Sequence, residues 1–177
     1  KKDHFNLRAF GSDVLIYSIG QILLLAFGLI QSLIIPKYLS TADYGYWQLF
    51  LLYTTYGGIL HFGFLDGILV RWAGKEFEEI KQEVPTAFRF LLLEQFLVVG
   101  VLALVLIAVD PPFLEIGLAV LANAIIVNIL TLFIFTAQAV KRFKLVTAVN
   151  ISKGALFLLL VIGLFAGGRF GYGDLYI

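Results

Sequence analysis

The chain contains no cysteine and no methionine, and only 14% of its 177 residues are charged. Without cysteine there is no disulfide framework, no thiol nucleophile and no thiolate ligand for a metal. An excess of one charge sign is missing as well. Thirteen Lys and Arg meet 12 Asp and Glu, leaving +1, so overall charge points to no nucleic-acid partner. No nucleophile stands beside a base, no glycine-rich loop is placed to cradle a phosphate, and no spacing suits a metal, so the residues are read as a non-enzyme. What is abundant is apolar. Hydrophobic residues make up 60% of the chain, and an ordinary soluble domain carries about 25% charged residues. Length and composition together describe a membrane protein.

The chain opens on Lys1 and closes on "GRFGYGDLYI", a loop leading into a further apolar stretch. The expectation is the N-terminal part of a longer protein. The first apolar run is too long for the 7–15-residue core of a signal peptide, and no small-residue cleavage site follows it.

A bilayer core of about 30 Å takes about 20 helical residues to cross. Five stretches reach that length, at 14–35, 46–70, 90–109, 116–140 and 146–166, and a sixth would begin near Leu175. Surface-lying helices would keep one charged face, and barrel strands would be short and alternating. The fold class read from sequence is all-α, a polytopic transmembrane helical bundle with five complete spans and the start of a sixth. The basic residues orient it. With the N-terminus in the cytoplasm, Lys1, Lys2, Arg8, Arg71, Lys75, Lys81, Arg89, Lys141, Arg142 and Lys144 fall inside. Only Lys37 and Arg169 fall outside, and Lys153 lies within a span. The positive-inside rule therefore predicts a cytoplasmic N-terminus.

Between the first two spans runs "IIPKYLSTADYGYWQLF". Pro36 has no donor for a helix, so span one is expected to end there. Ser40 with Asp43 fits a capping box for the next helix, and Tyr38, Tyr44, Tyr46 and Trp47 suit the membrane interface. The strongly charged run "KEFEEIKQEVP" joins spans two and three. It reads either as a solvated loop or as a short amphipathic helix dipping Phe77 and Ile80 toward lipid, with Pro85 breaking it.

A charge at the bilayer centre costs about 2.5–3.5 kcal/mol on insertion scales, so it needs a partner or a wet cavity. His61, Asp66, Glu94 and Lys153 lie within spans, with Gln21, Asn123, Asn128, Gln138 and Asn150 as neutral companions. From the helical rise, Lys153 lies about 13 Å in from Lys144, and Glu94 and Asp66 about 8 Å in from Arg89 and Arg71. Asn150 shares a helical face with Lys153. A polar cluster of spans two, three and five is expected, with Glu94 and Lys153 as the natural ion pair. Such a cluster either glues the bundle or lines an aqueous cavity that binds a charged head group or couples an ion. His61 alone reads equally as a hydrogen-bonded interior residue or a proton carrier. In span one, Tyr17, Gln21, Gly28 and Ser32 fall within one arc, as at a helix contact or a cavity wall. Asn123 and Asn128 do not share a face closely, and at least one is expected to serve packing.

The order Pro, Leu-Ser turn, Tyr-Gly and aromatic-rich second span in "IIPKYLSTADYGYWQLF" resembles the polysaccharide transporter family. That family includes the O-antigen and lipid-linked oligosaccharide flippases of the multidrug/oligosaccharidyl-lipid/polysaccharide exporter superfamily. "NLRAFGSDVLIYSIGQ" is similar to their N-terminal lead-in, "GFLDGILVRWAGKE" to the end of their second span, and "AQAVKRFK" to the basic loop after their fourth. The resemblance implies a two-lobe transporter of 12 to 14 helices, of which this chain is the N-terminal lobe. It implies alternating access that carries an undecaprenyl-pyrophosphate-linked glycan across the cytoplasmic membrane of a prokaryote, with the polysaccharide polymerase machinery as a partner. It makes Pro36, Tyr44 and Gly45 structural positions of the outer hairpin, and places Asp66 and Arg71 in a cytoplasmic gate or cavity. Glu94 and Lys153 stand on the burial argument instead. On this reading Lys153 meets the pyrophosphate or a sugar acid. Asp66 and Glu94 set the cavity's charge and couple transport to H+ or Na+; no other cofactor is expected. Two rivals stay open. A glycan polymerase or ligase would need a large outer loop, which this portion lacks. A drug/cation antiporter of the same superfamily fits the Tyr-Gly hairpin and basic loops less well.

Overall fold

The computed structural model describes residues 7–166. The apolar stretch near Leu175 lies outside the described residues, as do Lys1, Lys2 and Arg169. Seven α-helices follow in chain order. They are α1 Leu7–Tyr38, α2 Thr41–Thr54, α3 Phe64–Trp72, α4 Phe77–Ile80, α5 Glu83–Val109, α6 Leu114–Ala139 and α7 Phe143–Ala166, with a 3-10 turn at Gly57–His61 between α2 and α3. Among the described residues, four helical stretches are long and apolar enough to cross a bilayer: Leu15–Tyr38, Glu83–Val109, Leu114–Ala139 and Phe143–Gly163. The chain is a multi-pass helical membrane protein. Large apolar side chains such as Leu25 and Leu93 stand about 70% exposed on these helices, as lipid contact allows.

The stretch 46–70 is not a fifth continuous helix. It is divided between α2, 14 residues long, and α3, nine residues long, each well short of the about 20 a crossing takes. The cause is local. Phe62 and Gly63 take left-handed backbone angles, φ +45° and +79°. No right-handed helix passes through such a pair, and the conformation costs a residue with a Cβ about 1–2 kcal/mol.

Both expected proline breaks are also corrected. Helix α1 runs to Tyr38, two residues past Pro36, and Leu39 N–H still reaches Ile35 O at 3.3 Å. Pro36 therefore sits in the last turn. Pro85 lies in the first turn of α5, where its missing N–H has no helical partner to lose. The charged run is part helix: α4 is closed by a capping box between Glu76 and Glu79, and Ile80 is wholly buried.

The chain divides into two compact units, one holding α1 and α7, the other α2 to α6. In the first unit, α1 packs on α7 through small residues that let the backbones approach. Tyr17 meets Phe143 edge-on at 6.4 Å. Gly20 lies against Thr147, and Gly154 against Phe27 and Leu24. The expected stripe on α1 is thus half right, because Gly28 has open space beside it and Ser32 is exposed.

In the second unit, Leu65, Ile68, Trp72, Ile80, Ala87, Leu91, Leu132 and Ala139 form the core. Gly74 N–H bonds Ala139 O at 3.0 Å and ties the loop after α3 to the end of α6. Trp47, expected at the interface, is buried and stacks on Phe50 at 5.6 Å.

Candidate functional site: a broken helix closed by side-chain amides

A helix that stops inside an apolar layer releases backbone carbonyls, and lipid cannot satisfy them. In "TTYGGILHFGF" the sequence meets this demand step by step. The Thr54 and Thr55 hydroxyls donate to Leu51 O and Leu52 O at 2.8 and 2.6 Å. Gly57 comes so close to α6 that an added Cβ would lie 3.4 Å from the Ala124 Cβ. That approach lets Asn128 Nδ2 donate to Gly57 O at 3.3 Å. Gln95 Nε2 donates to Leu60 O at 3.1 Å, and its own Oε1 accepts from Asn128 Nδ2 at 3.0 Å. Gln95 is fully buried and Asn128 nearly so, at 0% and 1% exposure. Two amides, one from α5 and one from α6, therefore close the break from within the protein.

Next to these clamps are two groups without a clamp. His61, 8% exposed, follows Leu60, and Glu94, half-buried, precedes Gln95. His61 Nδ1 and Glu94 Oε2 are buried and have no hydrogen-bond partner among the described residues.

Within the same unit, Asp66, Arg71 and Asn123 fall away from these two groups. Asp66 is exposed in the first turn of α3, three residues after the Gly63 cap, where the helix dipole favours an acid. Arg71 Nε pairs with Glu83 Oε2 at 3.1 Å, and Trp72 Nε1 donates to the same oxygen at 2.9 Å. Beside them runs a groove of about 580 Å³, lined by Phe64, Ile68, Trp72, Ala87 and Phe90 as well as Arg71 and Glu83. Asn123 is half-buried on α6 and outside the amide network. Gln21 and Asn150, half-buried, and Lys153, exposed, belong to the unit of α1 and α7. In the hairpin, Ser40 Oγ accepts from Asp43 N–H at 3.1 Å and donates to Asp43 Oδ2 at 2.6 Å, so the predicted cap forms. Tyr44 N–H bonds Ser40 O at 2.9 Å in the same turn. Gly45 lies inside α2 with open space beside it, and no contact there requires glycine.

Gln95 was not singled out by the sequence reading, and Asn128 only as one polar residue among several. The available signal was the Gly-Gly and Phe-Gly punctuation of span two, which marks a break and so demands donors on neighbouring helices.

No family model, no curated protein and no solved structure matches the chain. The class of protein rests on the helices, and any particular role on the residues just described.

Proposed function

We propose that this chain is the N-terminal lobe of a transporter that moves lipid-linked oligosaccharide or polysaccharide precursors across the cytoplasmic membrane. The observation that carries the reading is the discontinuous second span. Backbone that leaves the helix within an apolar layer is tolerated only where protein or an aqueous cavity takes up its polar groups, and transporters build substrate and ion sites at such breaks. Here the break is closed by Gln95 and Asn128, and His61 and Glu94 stand beside it. The resemblance of the Pro36–Gly45 hairpin and of the Gly63–Glu76 segment to polysaccharide transporters supplies the substrate class. The charge distribution supports a cytoplasmic N-terminus.

On this reading the second lobe is contributed by further helices, and the two rock about an undecaprenyl-pyrophosphate-linked glycan. Lys153 meets its anionic pyrophosphate, and Asp66 and Arg71 flank the cytoplasmic entrance. The orphaned Glu94 carboxylate also suits the antiporter alternative, in which the same break carries a cation.

The test uses the complete gene, deleted in its host, and a membrane-impermeant glycan label. Lipid-linked glycan held on the cytoplasmic leaflet at full chemical length is the expected result. Single repeat units reaching the outer leaflet unpolymerised would assign the activity to a polymerase. Normal glycan display would leave the antiporter reading standing.

A further inference from the structure

The unit of α2 to α6 carries a groove that the break does not use. Helices α3 and α5 both pack on α6, and the groove of about 580 Å³ lies between them. The two helices run in opposite directions past it. Arg71, at the end of α3, stands across from Glu83, at the start of α5, at 3.1 Å. Seven residues away on each helix, about 10 Å along the axis, Phe64 and Phe90 meet with ring centroids 4.5 Å apart. The aromatic pair closes one end, and the ion pair marks the other. Between them Ile68, Trp72 and Ala87 form a buried apolar wall. Gln82 and Thr86 add exposed polar side chains at the ion-pair end.

Glu83 also begins the apolar stretch Glu83–Val109. The ion-pair end therefore lies at head-group level, and the aromatic end within the hydrocarbon. An empty groove would forfeit dispersion contacts along its walls, and water would find no polar partners along Ile68, Ala87 and the phenyl rings. Hydrocarbon suits that part. At the mouth the chemistry changes. A guanidinium carries five N–H donors. Glu83 takes Arg71 through Nε, on the same oxygen that Trp72 Nε1 reaches, and the Arg71 side chain remains 68% exposed. The pair anchors the guanidinium and leaves it open to the head-group layer. The other acids of the following loop are engaged elsewhere, Glu78 with Lys81, and Glu76 and Glu79 in the α4 cap. Lys75, four residues beyond Arg71, makes no salt bridge among the described residues.

We propose that this groove binds one glycerophospholipid of the bilayer, with its phosphate on the Arg71 guanidinium and part of one acyl chain between α3 and α5. A guanidinium matches a phosphate in charge and in geometry, and basic pockets between membrane helices hold lipid head groups in this way. Glu83 is a positioning residue that fixes the guanidinium. Such a lipid is held whatever cargo the protein moves.

Gly67 offers a variant that blocks the chain without altering charge. It lines the groove and has open space where a Cβ would stand, so Gly67→Leu fills the groove and leaves the core untouched. The complete protein is reconstituted in nanodiscs containing phosphatidylglycerol with a diazirine in one acyl chain, and photocross-links are mapped by mass spectrometry. Exposed Ile126 and Phe133 on α6 supply the reference for ordinary lipid contact. Cross-links are expected to be enriched on Phe64, Thr86 and Phe90 over that reference. Unlabelled phosphatidylglycerol in excess should remove them, and diacylglycerol, which lacks the phosphate, should not. Gly67→Leu should abolish the enrichment. Arg71→Gln should lower it about tenfold, and Arg71→Lys, which keeps the charge, by less. The α6 reference should stay constant in all three variants. Groove cross-links no stronger than the reference, or unchanged by Gly67→Leu, would overturn the site. Displacement by diacylglycerol as readily as by phosphatidylglycerol would overturn it too. Displacement by undecaprenyl phosphate in preference to phosphatidylglycerol would also overturn it, and would assign the groove to a polyprenyl carrier.

Discussion

An amide buried in a membrane helix must find its partners inside the protein, because lipid offers none. Gln95 finds two, Leu60 O and the amide of Asn128. Leaving a buried donor or acceptor unpaired costs about 1–3 kcal/mol. Gln95→Leu is therefore expected to destabilise the protein by about that amount, read as a lowered thermal unfolding midpoint in detergent. Asn128→Leu should do the same, and the double variant should cost less than the sum, since one bond is shared. Strict additivity would show that the two amides act separately. The exposed Arg71–Glu83 pair, by contrast, is screened by solvent and contributes little. His61 and Glu94 were legible in the sequence because ionisable residues are rare in apolar runs. Gln95 was not, because a neutral amide stands out only once its carbonyl partners are known.

At the scale of elements, the contact between α1 and α7 depends on glycine where the backbones approach. A Cβ on Gly20 would sit 2.5 Å from Thr147 Cγ2, and a β-branched neighbour has little freedom to yield. Gly20→Ala should cost about 1–3 kcal/mol by overpacking. Thr147→Ser, which removes that methyl group, should restore most of it; failure to restore would mean the backbones do not meet there. Gly28 has open space, so Gly28→Ala should be neutral or stabilise by up to about 1 kcal/mol. The sequence marked one arc of α1 as a contact, and the structure moves that contact onto Tyr17, Gly20, Leu24 and Phe27. Small residues signal close approach, but which side of a helix approaches is set by its partner's shape.

For the whole molecule, the absence of cysteine makes topology directly measurable. Single cysteines at Pro112 and Glu78 lie in the turn between α5 and α6 and in α4. With a cytoplasmic N-terminus, a membrane-impermeant maleimide should label Pro112→Cys in intact cells and Glu78→Cys only after permeabilisation. The reverse pattern would invert the orientation and place the Arg71 groove on the outer face.

The sequence by itself determined that this is a helical membrane protein and how the first hairpin is capped. Those properties are local: hydropathy sums over about 20 neighbouring residues, and a cap over four. Tertiary structure alone decided which amides close the break in the stretch 46–70. The bonds that close it join residues 33, 35 and 71 positions apart. A pattern read along one helix has no access to them, because the rotation of each helix is set by what packs against it.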